Sequence, residues 1–373
     1  MSRNAPLGFY EFFAGGGMAR LGLGEGWSCL YANDFDPVKA ATYRANFPDA
    51  DQHFHQGDVW QVKPSDLPGR ADLAWASSPC QDFSLAGNRK GLEGGRSSAF
   101  FGFWRLMEAL NAEGRAPRTI VIENVVGLFS SHGGADFTAL CAALASQGYR
   151  FGALEIDAAR FTPQSRPRVF VIASRDPGRA PLGRCVFHTR AVEQAHARLP
   201  AELQALWLWW DLPAPPARNT DLASLLDADS EVTWRSDSQT GRLLEQMTPL
   251  NRARLNGDEH RTVGAVYRRT RAGAPRAEVR TDGLAGCLRT ARGGSSRQSI
   301  VVAQDGGIRS RLLTPREGAR LMGLPETYRL PGGGTDAFHV IGDGVAVPVV
   351  RWLAAHLLEP LLADNAAGVL AAE

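Results

Sequence analysis

Gly8-Phe9-Tyr10-Glu11-Phe12-Phe13-Ala14-Gly15-Gly16-Gly17-Met18-Ala19-Arg20-Leu21-Gly22-Leu23 is the stretch that decides the fold. Its apolar start reads as a buried strand, Ala14 to Gly17 as a glycine turn, and Met18 to Leu23 has helical spacing. Strand, turn and helix in that order open a nucleotide-type ligand site, where missing side chains let the backbone come close. The glycines do not follow the dinucleotide G-x-G-x-x-G spacing, which argues against a dinucleotide ligand.

The alternation continues outward from there. The pattern predicts strands over 27–31, 71–77, 118–123 and 169–173, and helices over 37–47, 98–112 and 136–147, the first of these with proline in its opening turn. Repeated β-α pairs predict an α/β chain whose doubly wound, mostly parallel, Rossmann-like sheet carries its ligand sites at strand C-terminal ends. From about residue 177 the pattern breaks into proline- and arginine-rich sequence that reads as a smaller, loop-rich domain. Trp207-Leu208-Trp209-Trp210 lies there, and a buried anchor is the more common fate of such a cluster than base stacking. Thr314-Pro315-Arg316-Glu317 opens a further helix, and 345–362 is strongly apolar. The expected divisions are 1–180, 181–311, and a segment 312–373 packing back on the first.

At 373 residues and 44% hydrophobic, the chain can bury a sizeable core. Its five cysteines are scattered and form no C-x-x-C pair, so neither a metal site nor a redox motif is expected. The opening residues lack a secretory signal, and no uninterrupted apolar stretch long enough to cross a bilayer is evident, so a cytoplasmic protein without membrane partners is expected. Net charge is only +2, but residues 251–311 hold thirteen arginines, no lysine and five acids. An arginine-rich composition, with three lysines in the whole chain, explains arginine replacing lysine but not the shortage of acids. A phosphate-contacting surface is the reading favoured.

Three kinds of reactive side chain fall at predicted strand ends. Cys80 follows the strand 71–77 and Pro79, Glu123 closes 118–123, and Arg166 and Arg168 precede 169–173. Taken singly, a cysteine beside proline, a Glu-Asn pair at a strand end and an Arg-Pro-Arg run are ordinary structural features. Their coincidence at strand C-terminal ends is harder to dismiss.

The chain resembles the DNA cytosine-5 methyltransferases, bacterial in type and dependent on S-adenosylmethionine, over nearly its whole length. Eight motifs stand in the family's order: Phe13-Ala14-Gly15-Gly16-Gly17, Asn33-Asp34-Phe35, Gly57-Asp58-Val59, Pro79-Cys80-Gln81, Glu123-Asn124-Val125, Gln164-Ser165-Arg166-Pro167-Arg168, Thr314-Pro315-Arg316-Glu317 and Gly342-Asp343-Gly344-Val345-Ala346-Val347-Pro348. The resemblance implies a class I methyltransferase fold and methyl transfer from S-adenosylmethionine to C5 of a flipped cytosine in double-stranded DNA, at a short specific sequence, through a Cys80–C6 adduct. Cytosine C5 is a poor nucleophile, so such a site needs a thiolate, an acid for N3 and cations for O2.

By that resemblance Cys80 is the nucleophile, Glu123 engages N3 and the exocyclic amine, Arg168 meets O2, and Arg166 orients Glu123 or a phosphate. Asp34 would bind the donor's ribose hydroxyls, Phe35 would stack on adenine and Asp58 would take the adenine amine. Phe13, Ala14, Gly15, Gly17, Met18, Val59, Pro79, Asp343 and Val345 complete the donor contacts, with S-adenosylhomocysteine as product. Gln81, Ser84, Arg89 and Lys90 lie on a basic loop suited to closing over the base, and Arg289, Arg292, Gly293 and Gly294 on a segment approaching the flipped site. Residues 1–180 would then be the catalytic and donor-binding domain and 181–311 the target-recognition domain.

The chain departs from many family members at Glu11, Met18, Ser78 and Asp343, the last adding negative charge where the donor is expected. A monomer is expected, and whether a restriction endonuclease accompanies it stays open. Three rivals differ from this reading. An RNA cytosine-5 methyltransferase would need little duplex-reading apparatus, a silent DNA-binding relative would not need an intact Cys80, Glu123 and Arg168, and a dinucleotide oxidoreductase would want other glycine spacing.

Overall fold

The computed structural model describes residues 6–78, 99–178, 180–255, 261–271, 273–290 and 297–363. The chain divides into two compact units: one of residues 1–156, 167–215 and 349–373, the other of 157–166 and 216–348. The expected boundary near 180 lies inside the first unit, and the expected terminal segment 312–373 is shared between the two.

The first unit is built on a seven-stranded sheet. Its strands are β1 (Leu7–Phe12), β2 (Trp27–Asp34), β3 (Phe54–Gln56), β4 (Leu73–Ala76), β5 (Thr119–Asn124), β6 (Arg150–Asp157) and β7 (Pro167–Ser174), in the order β3-β2-β1-β4-β5-β7-β6. The central strands β4 and β5 are buried throughout, as befits strands covered on both faces. Helices α1 (Met18–Leu23), α2 (Pro37–Asn46), α3 (Ala99–Ala112) and α4 (Ala135–Ser146) supply the crossovers, followed by α5 (Arg190–Ala197) and α6 (Ala201–Gln204). Asp36 caps α2 by accepting from the amides of Val38 and Lys39, with Pro37 at the first turn. Helix α3 buries Phe100, Phe103, Leu106 and Leu110 in the main core.

The sheet is mostly parallel, as the sequence predicts, with an antiparallel strand beside β5. Strands β1, β2, β4 and β5 are parallel, but β7 runs antiparallel to β5, pairing Glu123 with Phe170 and Asn124 with Val169. The link 158–166 between β6 and β7 contains only a single 3₁₀ turn, too little for the helical crossover that a parallel pair requires. Strand β6 itself was not anticipated. Its outer edge is covered by the tryptophan run, where the Leu208 amide donates to the Phe151 carbonyl at 2.7 Å. Trp210 is fully buried and its Nε1 donates to the Ile172 carbonyl at 3.2 Å, so the cluster is the anchor expected, although inside the first unit. Gly152 permits this, because a Cβ there would stand 1.9 Å from the Leu208 carbonyl oxygen.

The second unit is more regular than its loop-rich sequence suggests. Strands β8 (Thr262–Arg271), β9 (Ala274–Arg280), β10 (Ser299–Gln304) and β11 (Gly307–Leu312) form an antiparallel sheet in the order β11-β10-β8-β9. Val266, Ala277, Val279, Val301 and Ala303 from it cluster with Leu243 of α7 (Asp237–Glu245), and α8 (Pro249–Ala253) follows. Helix α9 (Pro315–Leu321) has the predicted start: Thr314 and Glu317 form a capping box, and Glu317 also pairs with buried Arg311 at 2.6 Å.

Helix α10 (Gly334–Asp343) belongs to this unit, whereas α11 (Val347–Leu353) leads into α12 (Glu359–Ala363) in the first. The helical run 334–363 is long and apolar enough to cross a membrane by length and composition alone, but Asp336, Asp343, Arg351 and Glu359 interrupt it, and 56% of its most apolar window is buried, as in a core helix.

Candidate active site and donor pocket

The sheet order reverses between β1 and β4, since β2 continues on one side of β1 and β4 lies on the other. In an open α/β sheet that reversal leaves a crevice beyond the strand C-terminal ends. The glycine turn leaves from β1 on one side of it. The segment carrying Ser77 and Ser78 leaves from β4, and Glu123 and Asn124 end β5 alongside.

Glu123 and Arg168 meet there as an ion pair, Arg168 Nε to Glu123 Oε1 at 3.1 Å, with the Arg168 side chain 15% and the Glu123 side chain 8% exposed. The antiparallel run of β7 makes this possible: Arg168 sits at its start, beside the C-terminal end of β5. Arg168 Nη1 also donates to the Pro167 carbonyl at 2.9 Å, which orients the guanidinium. Asn124 contributes what the sequence reading left unassigned. Its Nδ2 donates to the Ser78 carbonyl at 3.1 Å while its Oδ1 accepts from the Val125 amide at 2.8 Å. The chain that enters Pro79-Cys80 is therefore fastened beside Glu123. Pro79, Cys80, Gln81, Ser84, Arg89 and Lys90, with Arg292, Gly293 and Gly294, lie outside the described residues.

Three adjacent strand ends carry the expected donor contacts. Phe13, Gly15 and Gly17 adopt positive φ values of 58°, 57° and 80°. The two glycines differ in purpose: a Cβ on Gly15 would meet nothing within 4 Å, whereas one on Gly17 would stand 2.2 Å from the Phe47 ring. Gly15 thus offers open backbone and Gly17 permits packing. Buried Asp34, at the end of β2, accepts from the Gly15 amide at 2.8 Å and the Asp36 amide at 2.9 Å, and burial pushes its carboxyl up. Beside it the Phe35 ring is 70% exposed.

Asp58, exposed after β3, caps a 3₁₀ turn through the Trp60 amide. Ala14, Met18 and Val59 are buried, which leaves mainly main-chain atoms to face a ligand. The remaining expected residues belong to the second unit. Asp343 is exposed at the end of α10, Val345 is buried, and Arg289 is exposed. Arg166 also lies in that unit, where it donates to the carbonyls of Leu288, Gly342 and Gly344.

Glu11 stands in β1 beneath this turn. Its Oε1 accepts from the Arg20 amide at 3.4 Å and its Oε2 has no hydrogen-bond partner among the described residues. Burial, partly opposed by the charge of Arg20, pushes the carboxyl up to about 8. The folded protein therefore holds this proton when the unfolded chain has released it. Stability from this group is complete below the ordinary glutamate range and lost as pH rises through about 8. The urea midpoint of the wild type is expected to fall between pH 6 and 9, and Glu11→Gln is expected to flatten that slope; equal slopes would refute the assignment.

A family model described as C-5 cytosine-specific DNA methylase matches residues 7–359. The chain is 28% identical over 359 residues to Type II methyltransferase M.HhaI of Haemophilus parahaemolyticus, covering 93% of both. It is 26% identical over 356 residues to Type II methyltransferase M.DsaV of Dactylococcopsis salina, covering 94% of this chain and 86% of that one. Among solved structures, the S. pombe Dnmt2 methyltransferase superposes with a TM-score of 0.62 at 18% identity, over 95% of this chain and 99% of that one, a likeness of fold.

Proposed function

The chain belongs to the C-5 cytosine-specific DNA methylases, and from that premise we propose how its own residues methylate DNA. It is an S-adenosylmethionine-dependent DNA (cytosine-5-)-methyltransferase. The observation that carries the assignment of roles is the Glu123–Arg168 pair beside the anchored Ser78 carbonyl.

A cytosine inside stacked DNA does not offer C6 to a nucleophile, so the base first leaves the helix, at a cost of a few kcal/mol. The Cys80 thiolate then adds to C6. Electron density moves onto the ring as Glu123 engages N3 and the exocyclic amine, and Arg168, fixed against Glu123, meets O2. When bound, S-adenosylmethionine supplies the electrophilic methyl group, S-adenosylhomocysteine being the product. Once C5 carries the methyl, a base takes its proton, the C5–H electrons restore the C5–C6 double bond, and the Cys80 sulfur leaves as thiolate with the C6–S pair.

The residues at the ends of β1, β2 and β3 suit that donor. The exposed Phe35 ring offers a stacking face for adenine, Asp34 and Asp58 offer carboxylates for ribose hydroxyls and the amine, and Gly15 offers unobstructed backbone. Phe35→Ala is expected to weaken donor binding about tenfold, the scale of one lost aromatic stack, without lowering the melting temperature, because the ring is already exposed. Calorimetric titration checks this, and an unchanged affinity would remove Phe35 from the donor site.

The first unit would act as the catalytic and donor-binding part and the second as the target reader. Arg269 and Arg276 face each other directly across the β8–β9 hairpin. Like charges so placed are destabilising by themselves, and duplex phosphate or guanine edges would offset that cost. We place this chain in the cytoplasm as a monomer on DNA, acting at a short specific sequence; the Type II names of M.HhaI and M.DsaV leave room for a companion endonuclease. Bisulfite sequencing of DNA from a host lacking its own cytosine methylation tests the function. Methylated cytosines at one recurrent sequence are expected; unmethylated DNA beside methylated tRNA would favour an RNA enzyme.

A further inference from the structure

We propose that Arg166 is a positioning residue, one guanidinium that fixes both the segment expected to approach the target DNA and the segment expected to approach the donor. The proposal rests on the function given above. Arg166 is 2% exposed. Its Nη1 donates to the Leu288 carbonyl at 2.9 Å and toward Cys287 Sγ at 3.4 Å, and its Nη2 donates to the carbonyls of Gly342 at 2.9 Å and Gly344 at 2.6 Å. These carbonyls flank two expected functional positions: Leu288 immediately precedes Arg289, and Gly342 and Gly344 bracket Asp343 ahead of Val345. A cation shared among three carbonyls holds both positions at once, Nη1 serving one and Nη2 the other from a single planar fork that a compact ammonium does not reproduce.

Other contacts fasten the same assembly. The Arg166 amide donates to Asp157 Oδ1 at 2.7 Å. Fully buried Gln164 accepts from the Leu288 amide at 3.0 Å and donates to the Leu321 carbonyl at 2.9 Å. On the opposite side, a Cβ on Gly342 would lie 2.4 Å from the Arg289 carbonyl carbon, so residues 289–290 ride directly on the last turn of α10. Thr290 Oγ1 and His339 Nδ1 are 3.0 Å apart, closing the contact between stem and helix. Every partner named lies in the second unit. Arg168, only two residues further along, belongs to the first unit and pairs with Glu123. The two arginines of the Arg-Pro-Arg run therefore divide the labour, one orienting binding segments and the other meeting the base.

The test is Arg166→Lys in the full chain, assayed on the duplex DNA that the wild type methylates, with donor affinity measured separately by calorimetry without DNA. Two binding segments loosened together should raise KM for DNA and Kd for donor by about tenfold or more each, the scale of lost hydrogen bonds to a buried charge. The single-turnover rate at saturation should fall no more than about threefold. A rate loss with unchanged KM and Kd would place Arg166 at the reacting base and overturn the proposal, as would three unchanged parameters. Should the lysine variant fail to fold, Thr290→Val decides: it removes only the contact to His339, and a raised KM for DNA is expected, an unchanged one refuting the clamp. Failure of the functional reading would appear earlier, as a wild type that methylates no cytosine.

Discussion

Cys80→Ser should abolish methyl transfer, lowering the single-turnover rate by on the order of 10⁴-fold or more, while leaving donor affinity within the error of a titration. The thiolate is the attacking form of a cysteine, and a serine hydroxyl has no comparable ionised population near neutral pH. The substitution is small and touches no donor contact argued above, so folding and donor binding serve as internal controls. Labelled donor and a duplex methylated by the wild type suffice for the measurement. Full activity in the serine variant would show that the attack on C6 comes from elsewhere.

Glu123→Gln should follow with a rate loss of about 10²- to 10³-fold, the usual scale for removing a positioned acid or base. Glutamine keeps the shape, and its Oε1 can still accept from Arg168 Nε, which lies 3.1 Å from the carboxylate in the wild type. Little of the fold is therefore at stake, unlike in an alanine variant, which would leave a nearly buried guanidinium unpaired. What is lost is the carboxyl group at N3 when C6 is attacked. KM for donor should stay as it was; a variant with wild-type turnover would exclude Glu123 from the proton chemistry.

Much of this arrangement could be read from the chain because it rests on local patterns. The β1–turn–α1 opening, the apolar runs of β4 and β5, and the Thr314-Glu317 capping box are each specified within a few residues. What escaped depends on partners distant in sequence. Strand β6 is built around Gly152 and Ala153, which give little hydrophobic contrast, and its glycine is needed only because Leu208 packs on it. Strands β8 and β9 place small buried residues, Ala265 and Ala277, among exposed arginines, so their period is faint. The direction of β7 is set by the connection before it. The partners of Arg166 are likewise distant in sequence: it donates to the Leu288, Gly342 and Gly344 carbonyls, while Arg168 pairs with Glu123.

The discontinuity of the second unit bears on how such proteins can be recombined. Residues 157–166 belong to it although they lie between two strands of the first unit's sheet. A cassette cut at 216 and 348 would look complete in sequence, yet it would leave behind Gln164, Arg166 and the Asp157 that holds the Arg166 amide. Transplanting a reader from this chain onto a foreign catalytic core therefore means carrying two separate pieces of sequence. New specificities assembled from a single contiguous block should arrive with a loosened stem.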